Sequence, residues 1–390
     1  MSFTPNIAVA GLGITNQGKV YDRNQVGLAV EAVRLALEDA GLERSDLDGL
    51  LLNPGLSWND GGMGAFQLQQ ALNLRDLRLS ATMNAGGATA CAMIQHAAEA
   101  IGAGLAHTVA CVFSDAPLKP PKPKDAKDGK GSGSASAYAF AGGLDAAYGM
   151  FGINARYAMV AQRHMHLYGT TNEHLGTVAV TQRQWANRNP RAQFQDAPLT
   201  MEEYHRSRWV AEPFHLFDCC LVSNGGLAVI VTSAERARNM SQPPVRILGM
   251  GQGHPGGDPM ETLTSGAVLA GTQAFRMAGL ETKDIDVVEL YDCYTFTVLV
   301  CLEDYGFCKK GEGGPFIADG KTAPGGALPV NTGGGQLSSF YMWGMTPVSE
   351  AIIQLRGEGG ERQVDDAHVA LVSGNGGILS THSTLILGNQ

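Results

Sequence analysis

Apolar residues near the start of the chain follow two different spacings. Residues 7–11 form a short, continuous apolar segment, which predicts a buried strand. Residues 24–40 carry apolar side chains at helical spacing, and Gly41, directly after them, is a common helix stop. The chain is therefore expected to begin with a strand that is followed by an amphipathic helix.

The same two kinds of segment alternate along the rest of the chain. Short apolar segments predict strands at residues 50–52, 107–113, 225–231, 246–253, 286–290, 369–373 and 383–387. Helical spacing predicts helices at residues 64–72, 84–101, 148–180, 198–208, 264–279, 294–306 and 346–357. Strands that alternate with helices are typical of an α/β architecture with a mainly parallel, buried sheet.

The second half of the chain repeats the order of elements in the first. A chain of 390 residues is too long for one small core, and its two βαβ-rich halves meet near residues 236–244. We therefore predict a tandem duplication, with one half at residues 1–240 and the other at residues 241–390. The first half is expected to carry an inserted loop region at about 115–210.

Residues 115–143 have a composition unlike the rest of the chain. Four prolines and five lysines precede a tract of Gly, Ser and Ala, which predicts a surface loop. One interpretation is a solvated linker. The other is a flap that brings positive charge to an anionic cofactor.

Composition and charge exclude several classes of protein. The 44% hydrophobic and 17% charged fractions fit a compact protein with much buried surface, and the net charge of −9 argues against a nucleic-acid binder. The sequence contains no segment of about 18 apolar residues, so no membrane span is predicted. Residues 1–13 lack a basic segment followed by a long apolar core, so we expect no signal peptide and a cytoplasmic location.

Cysteine usage indicates reduced thiols. The chain has 7 cysteines, an odd number, and no two of them are spaced as Cys-x-x-Cys. A structural zinc site within this chain is therefore not expected, and we predict no metal.

A glycine-rich turn near the end of the chain is the first candidate for chemistry. Asn331 and Thr332 precede three consecutive glycines, which permit positive φ angles and close approach of the backbone to another group. The turn is either a tight strand-to-helix connection or a loop that cradles a ligand. Tyr341 lies in the polar and aromatic loop that follows, where a phenol can act as an acid or a base.

Four motifs together resemble the thiolase superfamily, specifically the sterol-carrier-protein-x type, over essentially the whole chain. They are Gly86-Gly87-Ala88-Thr89-Ala90; Asn189-Pro190 through Asp218-Cys219-Cys220 and Ser223-Asn224-Gly225-Gly226; Glu289-Leu290-Tyr291-Asp292-Cys293-Tyr294-Thr295; and Asn331-Thr332-Gly333-Gly334-Gly335, followed by Gln354-Leu355-Arg356-Gly357-Glu358. The resemblance implies the five-layered α/β/α/β/α thiolase fold, a tandem duplication that forms homodimers.

The sequence departs from that family at three catalytic positions. Alignment puts Gly87 where thiolases have the nucleophilic cysteine, and Cys91 falls one helical turn deeper. Tyr291 stands at the His of the His-Asp-Cys-Phe motif, and Tyr341 at the His of the Gly-His-Pro loop. A literal Gly-His-Pro at residues 253–255 precedes the glycine turn and is in the wrong place, and the loop at residues 373–377 contains no cysteine.

This pattern, with two tyrosines at the histidine positions and no nucleophilic cysteine, is similar to that of the thiolase-like aldolases of steroid side-chain degradation. Such enzymes cleave a β-hydroxyacyl-CoA by retro-aldol chemistry, without a covalent acyl-enzyme. We assign Tyr341 as the base on the β-hydroxyl and Tyr291 as the proton donor to the enolate; the reverse assignment stays open. Asn331 is expected to fix the loop or a water molecule. Backbone N–H groups near Gly87, Ala88, Gly376 and Gly377, where the resemblance puts the oxyanion hole, are the expected donors to the thioester oxygen.

The leading hypothesis is cleavage of a β-hydroxyacyl-CoA with a bulky apolar group, from a steroid or bile-acid side chain. It predicts no tightly bound cofactor, because coenzyme A is part of the substrate. One alternative is a β-ketoacyl-CoA thiolase or other acyltransferase that uses Cys91 or Cys293, and another is a non-catalytic lipid carrier or scaffold subunit. The resemblance further implies a small partner protein with a zinc ribbon and an OB-fold.

Overall fold

The computed structural model describes residues 6–59, 61–121, 150, 152–256, 261 and 263–389. Most of the proline- and lysine-rich segment at 115–143 lies outside the described residues, and with it the choice between linker and charged flap. Within the described part of the chain, no helix is long and apolar enough to cross a membrane.

The elements of the first half alternate between strands and helices before an irregular region. They are β1 (Ile7–Ile14), α1 (Gln25–Ala40), β2 (Gly49–Pro54), α2 (Gly64–Ala71), β3 (Leu79–Thr82), α3 (Thr89–Gly102), β4 (Thr108–Asp115), α4 (Ile153–Tyr168), α5 (Asn172–Ala186), α6 (Met201–Arg206), β5 (Trp209–Ala211), β6 (Phe214–His215), β7 (Gly225–Ser233) and α7 (Ala234–Ala237).

The second half has fewer elements in a similar order. They are β8 (Val245–Gly253), α8 (Ala267–Ala278), β9 (Val287–Glu289), α9 (Thr295–Tyr305), α10 (Gly313–Ala318), a π turn (Gly335–Ser339), α11 (Met345–Leu355), β10 (Val369–Gly376) and β11 (Thr381–Gly388).

Helix ends follow local sequence signals. Asn24 caps α1 by accepting a hydrogen bond from the Gly27 N–H, and Gly41 ends the helix with φ of 70°. The prediction of one helix over residues 148–180 is wrong. Gly169, with φ of 74°, ends α4, and the side chain of Thr171 caps the separate helix α5.

Nine strands form one mixed sheet in the order β3-β2-β4-β7-β1-β8-β11-β10-β9. Pairs β2/β3, β2/β4 and β9/β10 are parallel, whereas the other five pairs in this sheet are antiparallel. The prediction of a mainly parallel sheet, made from the alternation of elements, is therefore wrong. The reason is that β7 and β11 return alongside β4 and β10 in the opposite direction.

The first strand packs closely against the first helix in both halves, β1 against α1 and β8 against α8. A Cβ on Gly11 in β1 would lie 2.2 Å from the Ala36 carbonyl oxygen, and a Cβ on Gly249 in β8 would lie 2.2 Å from the Ala274 carbonyl oxygen. Only glycine permits so close an approach of strand to helix. The strand order β1-β7-β4-β2 is also repeated as β8-β11-β10-β9. The division of the chain at residue 240 stays a prediction.

Helices α3 and α11 form a central layer. Helix α3 contacts β2, β4 and β7 of the first half, β10 and β11 of the second, and α11 itself. Every residue of α11 is buried, which is typical of a helix surrounded by other elements. The N-terminus of α3 therefore opens inside the molecule, where the two halves meet.

Candidate active site

Tyr291 lies just after the buried strand β9. The bridge between Val288 and Val330 brings the end of this strand beside the glycine-rich turn. Helix α9 begins at Thr295, so Tyr291 occupies the short connection between strand and helix. The side chain of Tyr291 is buried.

Tyr341 is brought to the same place by the loop between Asn331 and α11. Asn331, Gly334 and Gly335 all have positive φ, of 53°, 94° and 59°, which turns the chain sharply before the π turn. The Tyr341 N–H then donates to Ser223 Oγ at 3.0 Å. Tyr341 itself is partly buried.

The two tyrosines meet through their phenols. The hydroxyl oxygens of Tyr291 and Tyr341 lie 3.0 Å apart and share a hydrogen bond, although the residues are 50 positions apart in sequence. A hydrogen bond from one phenol favours the ionised form of the other. The structure thus brings together the two residues that the sequence predicted as acid and base.

Gly87 lies against the ring of Tyr291. A Cβ at position 87 would be 2.1 Å from both Cε2 and Cζ of Tyr291 and 2.4 Å from the Asn375 carbonyl oxygen. Those separations are far below a van der Waals contact. The Tyr291 ring therefore occupies the space that any side chain at position 87 would need.

The four predicted oxyanion donors are in two adjacent backbone segments. Gly86, with φ of 60°, approaches Gly376 so closely that a Cβ on Gly86 would lie 3.3 Å from the Gly376 Cα. Ala88 directly precedes α3, whose first N–H groups lack partners within the helix and carry partial positive charge. Gly377 follows β10 with φ of 59°. Both segments thus lie beside the N-terminus of α3, and their role as oxyanion donors stays a prediction.

Asn331 fixes the loop. Its Oδ1 accepts a hydrogen bond from the Leu290 N–H at 2.6 Å, and its own N–H donates to the Val288 carbonyl oxygen at 2.9 Å. These bonds hold the start of the turn against the segment that carries Tyr291. Of the two roles expected for Asn331, the structure describes the first.

The two alternative nucleophiles are buried. Cys91 lies in the first turn of α3, and burial raises the pKa of its thiol to about 12. Burial likewise raises the pKa of Cys293 to about 12. A thiol with so high a pKa is a poor nucleophile at neutral pH, because the thiolate is the reactive form. All 7 cysteines are free thiols.

Other aromatic and imidazole groups near these motifs have packing partners. Tyr294 stacks on Phe214 with ring centroids 4.9 Å apart and donates its hydroxyl hydrogen to Asn154 Oδ1. His164 is buried and bridges Glu303 Oε2 at 3.0 Å and Thr170 Oγ1 at 2.9 Å.

The literal Gly-His-Pro histidine is not beside the tyrosines. His254 is exposed, and its Nδ1 lies 2.7 Å from Thr381 Oγ1. No group of three His, Cys, Asp or Glu side chains arranged to hold a metal occurs in the part of the chain that the structure describes.

Sequence reasoning missed one support of the site. Ser223 Oγ accepts not only the Tyr341 N–H but also the side-chain amide of Gln193, at 2.7 Å. Ser223 therefore joins the Tyr341 loop to the irregular region before β7. Its motif, Ser-Asn-Gly-Gly, carries no local signal that predicts this contact.

Known proteins resemble this chain along its whole length. Residues 252–389 match the family described as thiolase C-terminal domain-like. A steroid side-chain-cleaving aldolase from Thermomonospora curvata is 38% identical, over 96% of this chain and 97% of that protein. A 17-hydroxy-3-oxo-4-pregnene-20-carboxyl-CoA lyase from Mycobacterium tuberculosis is 35% identical, over 95% of this chain and 96% of that protein.

A solved structure has the same fold. The Ltp2-ChsH2(DUF35) aldolase superposes with a TM-score of 0.87 at 36% identity, covering 100% of this chain and 99% of that one. Together with the relatives above, it makes this chain a thiolase-fold enzyme. The chain belongs to the thiolase superfamily, and its predicted resemblance to side-chain-cleaving aldolases is confirmed. The roles of individual residues stay predictions.

Proposed function

We propose that the protein cleaves a carbon–carbon bond of a β-hydroxyacyl-CoA whose acyl group carries a steroid or bile-acid side chain. The products are a ketone or aldehyde and a short acyl-CoA. The observation that carries the proposal is the hydrogen bond between Tyr291 and Tyr341 beside a glycine that leaves no room for a nucleophile. The relatives named as an aldolase and a CoA-ester lyase support the same reaction and a CoA-linked substrate.

A retro-aldol cleavage moves two protons and one electron pair. Tyr341, as the phenolate, takes the proton of the β-hydroxyl; the Cα–Cβ bond breaks, and its electrons form the enolate of the thioester. Tyr291 then gives its phenol proton to the enolate carbon and becomes the phenolate. Transfer of one proton across the 3.0 Å bond from Tyr341 back to Tyr291 restores the starting state. The same geometry serves the opposite assignment of acid and base.

The enolate oxygen needs donors that are in place before the bond breaks. The N–H groups of Gly87 and Ala88, with those of Gly376 and Gly377, are assigned this role. Loss of one such donor typically costs about 3 kcal/mol of transition-state stabilisation.

Replacement of one phenol tests the reaction. Purified protein is assayed with β-hydroxyacyl-CoA esters of steroids while release of ketone or aldehyde is followed. Tyr341→Phe is expected to lower kcat by about 10²- to 10⁴-fold, the range of a general acid or base. A Tyr341→Phe variant with full activity would contradict the assignment of the base.

Cys91→Ser is the matched control for the thiolase alternative. It is expected to leave kcat unchanged, because Cys91 is buried and its thiol stays protonated. Loss of turnover in Cys91→Ser, together with a trapped acyl-enzyme, would identify an acyltransferase instead. Absence of any CoA-ester turnover, with and without a partner protein, would favour a carrier or scaffold subunit.

The assembly of the protein is also part of the proposal. We assign it as a cytoplasmic homodimer that works with a small partner protein bearing a zinc ribbon and an OB-fold. The name of the solved Ltp2-ChsH2(DUF35) aldolase joins two proteins, which supports a partner. Assays with and without the product of the neighbouring gene, and the mass of the complex in solution, test both points.

A further inference from the structure

Asp292 is a buried carboxyl group without a role in the proton transfers described above. It lies directly after Tyr291 and is fully buried. Its two oxygens accept from the Gln336 N–H at 2.9 and 3.0 Å, and Oδ2 also accepts from the Leu337 N–H at 3.2 Å. Asp292 therefore joins the segment that carries Tyr291 to the turn that leads to Tyr341.

The turn is shaped to receive this carboxyl group. Gly335 has φ of 59°, and a Cβ on it would lie 2.1 Å from Asp292 Oδ2. The backbone N–H groups of the two residues after this glycine, Gln336 and Leu337, both point at the carboxyl group. The turn itself, Gly335–Ser339, is a π turn, a rare conformation that is frequent at functional sites.

A second side chain makes the same connection in the opposite direction. Asn331, at the start of the glycine-rich turn that precedes Gly335–Ser339, accepts a hydrogen bond from the N–H of Leu290, one residue before Tyr291. Asp292, one residue after Tyr291, accepts the N–H groups within the turn. Tyr291 is thus held on both sides against the loop that carries Tyr341.

We propose that Asp292 is a positioning residue, which holds the Tyr341 loop against the Tyr291 segment and thereby sets the separation of the two phenol oxygens. The inference rests on the proposed retro-aldol function. It implies that Asp292 acts on the chemical step rather than on substrate binding. Misplacement of a reacting group by about 1 Å costs roughly 100-fold in rate.

Kinetics of Asp292 variants test the proposal. Asp292→Ala is expected to lower kcat by about 10- to 100-fold while KM changes by less than about twofold. Asp292→Asn, which keeps one acceptor oxygen, is expected to recover part of the rate. In a Tyr341→Phe background, Asp292→Ala is expected to cost no further rate, because it acts through the phenol that is already missing.

Asp304→Asn is the matched control. Asp304 is also buried, with 2% of its side chain exposed, and its Oδ2 accepts the Ser265 N–H at 2.6 Å. It lies within α9, outside both segments that carry the tyrosines. Asp304→Asn is expected to keep kcat even where it lowers the free energy of unfolding. Equal losses of kcat in Asp292→Asn and Asp304→Asn would overturn the proposal.

Hydrogen exchange gives a readout that needs no substrate. In Asp292→Asn, the amide hydrogens of Gln336 and Leu337 are expected to exchange faster than in the wild type, whereas Asp304→Asn leaves them protected. Unchanged exchange at both amides would overturn the positioning role whether or not the protein cleaves CoA esters. Faster exchange in a protein without turnover would instead contradict only the proposed function.

Discussion

At the scale of single residues, the main feature of the candidate site is the hydrogen bond between the two phenols. An isolated tyrosine has a pKa of about 10, so it is a poor base at neutral pH unless its phenolate is stabilised. In the proposed mechanism, the partner phenol, 3.0 Å away, supplies the hydrogen bond that favours the phenolate. The pair is therefore proposed to carry out the proton transfer that the two histidines of thiolases would otherwise provide.

The contact between Gly87 and Tyr291 gives a steric prediction. Gly87→Ala is expected to lower kcat by about tenfold or more, because a Cβ 2.1 Å from the Tyr291 ring forces the phenol away from Tyr341. Steady-state cleavage assays measure this. Gly27→Ala is the control, since a Cβ there would meet its nearest atom at 3.5 Å. A fully active Gly87→Ala variant would show that the ring does not occupy this space.

Burial of Asp292 gives a prediction about pH. Burial raises the pKa of Asp292 from 3.8 to about 8, against the lowering effect of its hydrogen bonds to the Gln336 and Leu337 N–H groups. Between these two values the folded state binds more protons than the unfolded state, so the free energy of unfolding falls as the pH rises. Asn does not titrate, so the wild type should lose stability relative to Asp292→Asn across this range and not above it.

Urea unfolding of both proteins at several pH values measures this difference. The expected slope is at most about 1.4 kcal/mol per pH unit, the value for one proton. Other buried carboxyl groups are present in both proteins, so their contributions largely cancel. A difference that stays constant between about pH 5 and about pH 8 would mean that burial does not raise the pKa of Asp292.

At the scale of elements, the sequence predicted best where a local signal ends or begins a helix. Asn24 and Gly41 bound α1 through a side-chain cap and a left-handed turn, both of which depend on the residue type alone. The break at Gly169 was missed because the apolar spacing continues on both sides of it. Strands β3 and β5 were not predicted because their residues are exposed or half-buried and so lack a continuous apolar segment, and the two residues of β6 are too few to form one.

The candidate site was predictable in its members but not in its geometry. Tyr291 and Tyr341 follow from aligned motifs, each within a short stretch of sequence. Their hydrogen bond depends on the bridge between Val288 and Val330 and on the fold of the turn between them, which no local pattern encodes. The same holds for Gly87, whose contact with Tyr291 joins residues from the two halves of the chain.

At the scale of the whole molecule, the candidate active site is formed by residues from both halves of the chain. Gly87 comes from the first half, whereas both tyrosines come from the second. Strands β1 and β8 pair only at Ala8 with Arg246 and Val9 with Val245, a short connection for a nine-stranded sheet. Side chains that cross between the halves are therefore expected to contribute to both stability and activity.

Arg356 is such a side chain, and it gives the whole-molecule prediction. Its side chain is 1% exposed at the end of α11, and it donates to Asp39 Oδ2 at 2.8 Å and to the Ala10 carbonyl oxygen at 3.1 Å. Arg356→Met is expected to lower the free energy of unfolding by about 3 kcal/mol, because it leaves the partly buried Asp39 carboxylate without its charged partner. Urea titrations that follow circular dichroism and cleavage activity together should show both signals lost at one lowered midpoint.

The control for Arg356→Met is Arg34→Met. Arg34 pairs with Glu38 one turn along the exposed face of α1, and 61% and 68% of the two side chains are accessible. Solvent screens such a pair, so its loss should cost only about 0.3–0.5 kcal/mol. Equal effects of the two substitutions would contradict the contribution assigned to Arg356. Loss of activity well before loss of helical structure in Arg356→Met would contradict a single cooperative unit. The Arg356 side chain connects α11 to β1 and α1. A shared midpoint would therefore mean that the two halves unfold together.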